Sequence, residues 1–286
     1  MKKRMLSGLW AASLVSVSIL LGACGGKADT PQVAASASSA ASEASSATSA
    51  ATAAAPMARD YIIIGVDDDS MPMSFWDPKT NTISGYDIDM AKEAFKRAGL
   101  KYEFQPIVWS DKEDNLLKDK KIDVIWSSLT ITDARKKIFA FSMPYIKNRQ
   151  SILVRADSPI QSKADLGGKR IVLNKGGVAV DLVKQMSGAN APAKIDELEK
   201  KVDLFSAVLS GQADAAINDS LAMEYYSSGS PGKFRILKDS LQEEEFGVAV
   251  RPSDTELLAK INKALADMQA DGTAQAIYQR WFGVGQ

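Results

Sequence analysis

The sequence predicts an α/β protein with two lobes and a cleft between them. Short runs of apolar, β-branched residues alternate with helical patterns, which is typical of sheets flanked by helices. The alternation occurs in two successive units of roughly 100 residues, each long enough to bury a core of its own. We therefore expect each lobe to consist of one sheet with helices packed against it.

The first unit predicts three strands and two helices. The strands are expected at 61–66, 102–108 and 122–126. A helical pattern begins after Gly85 and ends at Gly99, a residue type that often terminates helices. Its apolar face comprises Met90, Ala91, Ala94, Phe95 and Ala98. Leu116 and Leu117 indicate a second, shorter helix. This β-α-β-α-β order is typical of a parallel sheet.

The second unit repeats the pattern, and two helices follow it. Strands are expected at 150–154, 170–173 and 213–217. A short capped helix over 162–166 and a helix over 178–186 lie between them. Two amphipathic helices then close the chain. Their apolar faces are Leu258, Ile261, Leu265 and Met268, and then Ala274, Ile277, Tyr278 and Trp281.

Four segments are the candidates for a ligand site. Ligands of open α/β sheets bind at the carboxyl ends of the strands. In this sequence those ends are 67–76, 126–135, 174–180 and 218–220. The first of these segments opens with three aspartates and Ser70, which we expect to form a loop.

The composition excludes several classes of chemistry. The chain has no histidine and one cysteine, Cys24. A Ser-His-Asp triad, a Cys-His pair and His-ligated metal sites are therefore excluded. Lys and Arg number 35, as do Asp and Glu, so the sequence implies no basic face for nucleic acid. We expect neither a cofactor nor a metal.

The N-terminal residues are typical of a secretory signal. Three basic residues at 2–4 precede an apolar run over 9–21 that is too short to span a membrane. Cys24 follows Leu21-Gly22-Ala23, which resembles a bacterial lipobox and implies cleavage before Cys24 and lipidation of its sulfur. The alternative is an ordinary signal peptide followed by an incidental cysteine.

A linker is expected between the signal and the folded part. From 34 to 55 every residue is Ala, Ser or Thr except Glu43, so the segment has no large apolar side chains to bury. We divide the chain into a signal at 1–23 and a lipidated linker at 24–58. The remainder is divided into lobe 1 at 59–148 plus 247–286 and lobe 2 at 149–246.

Several motifs carry a family resemblance. They are GYDIDMA at 85–91, SSLTITDAR at 127–135, FAFSMPY at 139–145, ADAAIND at 213–219, and the terminal stretch 272–283. In this order they resemble the periplasmic amino-acid-binding proteins of polar amino-acid ABC importers, solute-binding protein family 3. The resemblance covers about 60–286 and implies the two-lobed, type II periplasmic-binding-protein fold.

The resemblance implies a role for five residues. Arg135 matches the arginine that binds the α-carboxylate of an amino acid, a task suited to a planar guanidinium. Thr130 and Ser128 match the supporting positions, and Trp109 matches an aromatic contact to the ligand side chain. Asp219 matches the acid that binds the α-ammonium from the opposite lobe. A ligand with both charges would then favour closure of the lobes.

Each of these residues also has a structural interpretation. Arg135 lies in a basic run that could be solvated, and Asp219 could cap the following helix. Thr130 could be only a strand residue, Ser128 could be satisfied by the backbone, and Trp109 could belong to the core.

The sequence departs from the family pattern at several positions that are expected to contact the ligand. Ser70 stands where relatives have an aromatic wall, which predicts room for a larger ligand such as cystine. In the turn after Asn174, relatives often carry a hydroxyl residue, so backbone N–H groups at Val178 and Ala179 must assist the carboxylate. Asp67 belongs to the acidic loop, which we interpret as turn and cap chemistry. The alternative is attraction of a cationic ligand side chain, so Asp67 is included, with Asn174, Val178 and Ala179, among the candidate ligand-binding residues.

We therefore expect a monomeric, lipid-anchored receptor outside the cytoplasmic membrane. It binds a polar amino acid and delivers it to the permease of an ABC importer, without being an enzyme or binding nucleic acid. One alternative is an enzyme of the same fold that acts through a cleft glutamate, for which Glu103 and Glu243–Glu245 are available. A tethered sensory module is the least supported reading.

Overall fold

The computed structural model describes residues 60–283, which form thirteen strands and eight α-helices. The strands are β1 (Ile62–Val66), β2 (Asp69–Ser70), β3 (Ser74–Asp77), β4 (Thr82–Ser84), β5 (Tyr102–Pro106), β6 (Val124–Ile125), β7 (Ala140–Phe141), β8 (Ile146–Arg155), β9 (Arg170–Asn174), β10 (Lys194–Leu198), β11 (Ala215–Asp219), β12 (Phe234–Phe246) and β13 (Ala249–Val250). The helices are α1 (Tyr86–Ala98), α2 (Lys112–Leu117), α3 (Asp133–Lys136), α4 (Val178–Lys184), α5 (Lys201–Ser210), α6 (Ser220–Ser228), α7 (Thr255–Ala270) and α8 (Thr273–Phe282).

The predicted signal, Cys24 and the linker lie outside these residues. Within 60–283, no helix has the length and apolar character needed to cross a membrane.

Lobe 1 is built on a five-stranded sheet with the order β5-β1-β6-β13-β7. β1 is parallel to β5 and β6, whereas β13 is antiparallel to β6 and β7. Alternate residues face opposite sides of the sheet. Ile64 and Val124 pack against α1, α7 and α8, while Ile63 and Ile125 pack with Leu116 of α2 on the other side. Both faces of the sheet are therefore buried.

Lobe 2 is built on a second sheet with the order β10-β9-β11-β8-β12. β9 is parallel to β10 and β11, and β8 is antiparallel to β11 and β12. Ile171 and Ile217 pack toward α4, and Val172 and Ala216 pack toward α5. As in lobe 1, both faces are covered, and one strand runs against the other four.

The chain crosses between the sheets twice. β7 is followed by β8 of the other sheet, and β12 is followed by β13 of the first. The two crossings lie side by side, because Tyr145 N–H donates to the Phe246 carbonyl at 3.0 Å and Ile146 pairs with Phe246. These returns also explain why the sheets are mixed rather than wholly parallel.

The sequence patterns located most elements, with some differences. The helix predicted after Gly85 is α1, which ends at Gly99 in a left-handed conformation. The predicted strand 102–108 ends at 106, and the helix predicted over 178–186 ends at Lys184. Elements β3, β4, β7, β10, β12, β13, α3, α5 and α6 were not assigned from the sequence.

The expectation of a loop at Asp67–Ser70 is wrong for its second half. Asp69 and Ser70 form β2 of a small antiparallel sheet, β2-β3-β4, where Ser70 pairs with Ser74. The side chain of Asp67 accepts a hydrogen bond from the Asp69 N–H at 3.1 Å, which is the turn chemistry expected of an aspartate there.

Gly85 allows this small sheet to approach α1 closely. Its φ is +137°, and a Cβ atom at this position would lie 2.1 Å from the Met73 carbonyl oxygen. The same carbonyl accepts the Asp87 N–H at 2.8 Å, and the Pro72 carbonyl accepts the Tyr86 N–H at 3.0 Å. The first turn of α1 is therefore held by the backbone of 72–73.

We predict that Gly85→Ala lowers the free energy of unfolding by more than about 1 kcal/mol, because the new methyl group collides with the backbone. Gly99→Ala is the matched control: its φ is also positive, at +65°, but nothing lies within 4 Å of the added Cβ. Denaturant unfolding of both variants measures the difference. Equal losses in the two variants would contradict the steric explanation.

Candidate ligand-binding cleft

A small cavity lies between the two lobes. Its walls are mostly polar and come largely from the carboxyl ends of strands in both sheets. Lobe 1 contributes Trp109, Ser127, Ser128, Thr130 and Arg135. Lobe 2 contributes Gln150, Asn174, Gly177, Val178, Ala179, Lys201, Asn218 and Asp219.

Arg135 is a buried cation on the wall of this cavity. It belongs to the short helix α3, where the Thr132 side chain accepts the Arg135 N–H at 3.1 Å. Its side chain is held by carbonyl groups: Nη1 donates to Thr130 O at 3.0 Å, and Nη2 donates across the cleft to Gly176 O at 3.3 Å. Arg135 is only 8% exposed, so the interpretation as a solvated basic run is wrong.

Arg135 lacks a neutralising partner in the part of the chain that the structure describes. No carboxylate of residues 60–283 lies within ion-pair distance of its guanidinium. Burial lowers the pKa of Arg135, although carboxylates further away, Glu113 first among them, oppose that shift. A buried charge is expensive unless it is paired, so this site is suited to an anionic group of a ligand.

Thr130 and Ser128 hold the loop that carries the carbonyl partner of Arg135. Thr130 is buried and forms a β-bridge with Phe246. Ser128 has a positive φ of 48°, and its N–H donates to Asp87 at 2.7 Å. Tyr145 donates its hydroxyl to the other Asp87 oxygen at 2.8 Å. Burial raises the pKa of Asp87 to about 7, against the opposing effect of these two donors.

Asp219 ends β11 on the opposite wall. Its Oδ1 accepts hydrogen bonds from Asn148 at 3.0 Å and from Gln150 at 2.8 Å. The side chain makes no capping hydrogen bond to α6, so the helix-cap interpretation gains no support. Within 60–283, no Lys or Arg lies within ion-pair distance of Asp219. It can therefore accept a cationic group of a ligand.

Glu244 of β12 lies beside Asp219. Asn148 and Gln150 each donate to Glu244 Oε1 as well as to Asp219, the second of these bonds measuring 2.8 Å. Burial, and then repulsion from Asp219, raises the pKa of Glu244 to about 8. Burial also raises the pKa of Asp219. The pair therefore retains one proton near neutral pH and presents a single negative charge.

The turn before α4 forms the floor of the cavity on lobe 2. Asn174 anchors it, because its amide donates to the carbonyls of Leu198 and Glu199 at 3.2 and 3.1 Å. Val178 and Ala179 line the cavity in the first turn of α4, where N–H groups have no acceptor within the helix.

Two lysines surround Trp109. Lys112 of lobe 1 lies 4.7 Å from the ring centroid and donates to Gly176 O of lobe 2 at 3.0 Å. Burial, and then the nearby Arg135, lowers the pKa of Lys112 to about 8. Lys201 of lobe 2 lies 5.7 Å from the same ring.

The comparisons with known proteins agree with this architecture. Residues 62–284 match the family described as bacterial extracellular solute-binding proteins, family 3. The chain belongs to this family. Its members are solute-binding proteins, which confirms the prediction of a binding protein rather than an enzyme.

Individual family members cover most of the chain. The ABC transporter glutamine-binding protein GlnH of Bacillus subtilis is 32% identical over 96% of this chain and 96% of its own length. The L-cystine-binding protein TcyJ of Escherichia coli is 29% identical over 79% of this chain and 84% of its own length. A solved structure of an ancestral arginine-binding protein bound to arginine is 34% identical. It has a TM-score of 0.73 and covers 79% of this chain and 99% of that one. The type II binding-protein fold is thereby confirmed.

Two of the candidate site residues identified from the sequence, Ser70 and Asp67, do not line the cavity. Ser70 does not line the cavity; it is buried in the small β2-β3-β4 sheet, because that hairpin packs onto α1. Asp67 does not line it either, but its carboxylate bonds the ammonium group of Lys201, which does. All the other candidate residues line this cavity; they are Trp109, Ser128, Thr130, Arg135, Asn174, Val178, Ala179 and Asp219.

Sequence reasoning missed Gln150 and Lys201 among the lining residues, whereas Asn218 lies in the predicted segment 218–220. Gln150 had little usable signal, because several other polar residues surround it in β8. Lys201 had none: it follows Lys200, and such a pair at the start of a helix usually indicates a solvated surface.

The protonated Asp219–Glu244 pair predicts a pH-dependent stability. Below pH 4.5, the ordinary value for Glu244, both folded and unfolded states hold the proton. As the pH rises toward about 8, the unfolded state ionises while folded Glu244 does not, so stability falls. The loss approaches about 1.4 kcal/mol per pH unit for each retained proton.

We therefore expect Glu244→Gln to flatten the decline in unfolding free energy between pH 5 and pH 8, leaving the part due to Asp87. The exposed neighbour Glu245→Gln is the control and should keep the parent slope. Denaturant titrations at several pH values measure how the unfolding free energy of each variant changes with pH. A Glu244→Gln slope equal to that of the parent would show that no proton is held at this pair.

Proposed function

We propose that the protein binds the backbone of a free amino acid between its lobes. The observation that carries this proposal is a pair of opposite charges, Arg135 and Asp219, on facing walls of one cavity, neither paired within 60–283. A free amino acid carries the complementary pair, an α-carboxylate and an α-ammonium group. Its carboxylate would bind Arg135, assisted by Thr130 and Ser128, and its ammonium group would bind Asp219.

Such a ligand favours the closed arrangement of the lobes. Its two charged groups contact residues of different lobes, so the full set of contacts forms only when the lobes are together. Contacts between the lobes are already present around the cavity, where Lys112 and Arg135 both donate to Gly176 O. Hinge closure around the ligand is the motion that this geometry supports.

The cargo we propose is a polar amino acid, with cystine among the candidates. The relatives include glutamine-, cystine- and arginine-binding proteins. Ser70 lies outside the cavity wall, so the absence of an aromatic residue at this position does not favour cystine. The support for cystine is now the similarity to the L-cystine-binding proteins.

We further propose a monomer that delivers its cargo to the permease of an ABC importer. Lobe 1 would consist of 59–148 and 247–286, and lobe 2 of 149–246. A lipid on Cys24 would tether the mature chain outside the cytoplasmic membrane through the linker at 24–58. The lipobox-like stretch and the Ala/Ser-rich composition of that linker support this arrangement.

Replacing the carboxylate-binding residue tests the proposal. We expect Arg135→Ala to abolish measurable binding of the cognate amino acid. Its carboxylate would be left desolvated and unpaired, at a cost of about 3–5 kcal/mol, which is a factor of roughly 150 to 5,000 in affinity. Calorimetric titration of the ligand-stripped protein against the common amino acids and cystine measures the loss.

Lys136→Ala is the control, because Lys136 is an exposed neighbour outside the cavity wall and should bind like the parent. Unchanged affinity in Arg135→Ala would overturn the assignment of the carboxylate site. A folded parent protein that binds no amino acid of the panel would overturn the proposed function itself.

The anchor is tested separately. We expect Cys24→Ser to move the protein from the membrane fraction to the soluble fraction of cells that secrete it, because the sulfur that carries the lipid is gone. Fractionation followed by immunoblotting measures this, with Ser36→Ala in the linker as the control. Retention of Cys24→Ser in the membrane fraction would contradict lipidation at this residue.

A further inference from the structure

Lys201 is a buried cation on the cavity wall that the amino-acid backbone does not require. It begins α5 in lobe 2, and its side chain is only 4% exposed. Its ammonium group bonds the Asp67 carboxylate at the end of β1 in lobe 1 and lies 5.7 Å from the Trp109 ring. A buried lysine in such a place needs a counter-charge, which Asp67 supplies.

The charges around the cavity indicate what Lys201 does. Of the lining residues within 60–283, three are charged: Arg135, Lys201 and Asp219. Under the proposed function, the α-carboxylate neutralises Arg135 and the α-ammonium group neutralises Asp219. Lys201 is then the remaining charged group on the wall. It is ion-paired with Asp67, which is not part of the wall, so the wall presents the ammonium group rather than the carboxylate of this pair. The ligand side chain consequently meets a positive group.

A second lining residue also presents a hydrogen-bond donor. Asn218 lines the cavity, and its side-chain amide nitrogen is buried. This nitrogen has no hydrogen-bond partner within 60–283. A buried donor without an acceptor is costly, so a ligand that brings an acceptor is favoured here. Lys201 and Asn218 thus favour the same kind of ligand side chain.

We propose that Lys201 determines specificity by rejecting amino acids with cationic side chains. It selects side chains that are neutral or acidic and that carry a hydrogen-bond acceptor. This inference rests on the proposed function, since it assumes that the amino-acid backbone occupies Arg135 and Asp219. The rejection arises because Asp67 is already paired with Lys201: a cationic side chain meets the ammonium group and would have to displace it to reach the carboxylate.

A purely structural role for Lys201 predicts a different result. If its ion pair with Asp67 served only to hold the lobes together, its loss would weaken all ligands by a similar factor. A specificity role changes the ratio of affinities between cationic and neutral ligands. The ratio is therefore the quantity to measure.

The experiment is calorimetric titration of the purified full chain, unfolded and refolded to remove carried ligand. The probes are glutamine, cystine, glutamate, arginine and lysine. We expect the parent to bind arginine and lysine at least about tenfold more weakly than the tightest neutral or acidic ligand. In Lys201→Gln we expect arginine affinity, relative to that ligand, to rise at least about tenfold, because the Asp67 carboxylate becomes available to the guanidinium.

Two further variants make the result decisive. Lys200→Gln removes an exposed neighbouring charge and should leave the ratio unchanged. Asp67→Asn leaves Lys201 without its counter-charge, so the affinity for glutamate relative to glutamine should rise several-fold. Circular dichroism establishes that each variant is folded, and the Asp67→Asn result tests the inference even where Lys201→Gln does not fold.

The outcomes separate this inference from the proposed function. Arginine binding by the parent as tight as that of the best neutral ligand would overturn the role of Lys201 while leaving an amino-acid receptor. A uniform loss across the probes in Lys201→Gln, or an unchanged glutamate-to-glutamine ratio in Asp67→Asn, would also overturn it. A folded parent that binds none of the probes would overturn the proposed function and this inference with it.

Discussion

The cleft depends on two buried charges that the described part of the chain leaves unpaired. Arg135 is held by the carbonyl groups of Thr130 and Gly176, and Asp219 is held by the amides of Asn148 and Gln150. These neutral partners fix the direction of each side chain without neutralising it. Burying an unpaired charge is unfavourable, so the lobes close best when a ligand supplies both missing charges. Ligand recognition and lobe closure are thus consequences of one electrostatic constraint.

The fold explains why the two charges face each other. Each sheet places the carboxyl ends of its parallel strands toward the cleft, and the binding residues follow those ends. The two crossings between the sheets lie side by side at Tyr145 and Phe246, which gives the lobes a narrow connection. A narrow connection allows the lobes to move relative to each other, while the packed core of each lobe keeps its own half of the site in place.

The sequence predicted the elements with local signals better than the contacts between them. The helix between Gly85 and Gly99 and the central strands have clear periodicity and clear ends, and the structure has them. Arg135 and Asp219 were predicted by resemblance, because residues near them alone also fitted a solvated run and a helix cap. The Lys201–Asp67 and Gln150–Glu244 contacts join residues 134 and 94 positions apart, and no local pattern encodes such pairs. Ser70 was misplaced because the β2-β3 hairpin has no strong strand signal.

The most direct test of this account is a crystal structure of the protein with the amino acid that it binds. The account predicts that the α-carboxylate lies within hydrogen-bond distance of the Arg135 guanidinium and that the α-ammonium group lies within hydrogen-bond distance of Asp219. One ligand would thereby contact both lobes at once. A ligand held by one lobe alone, or bound with its carboxylate away from Arg135, would contradict it.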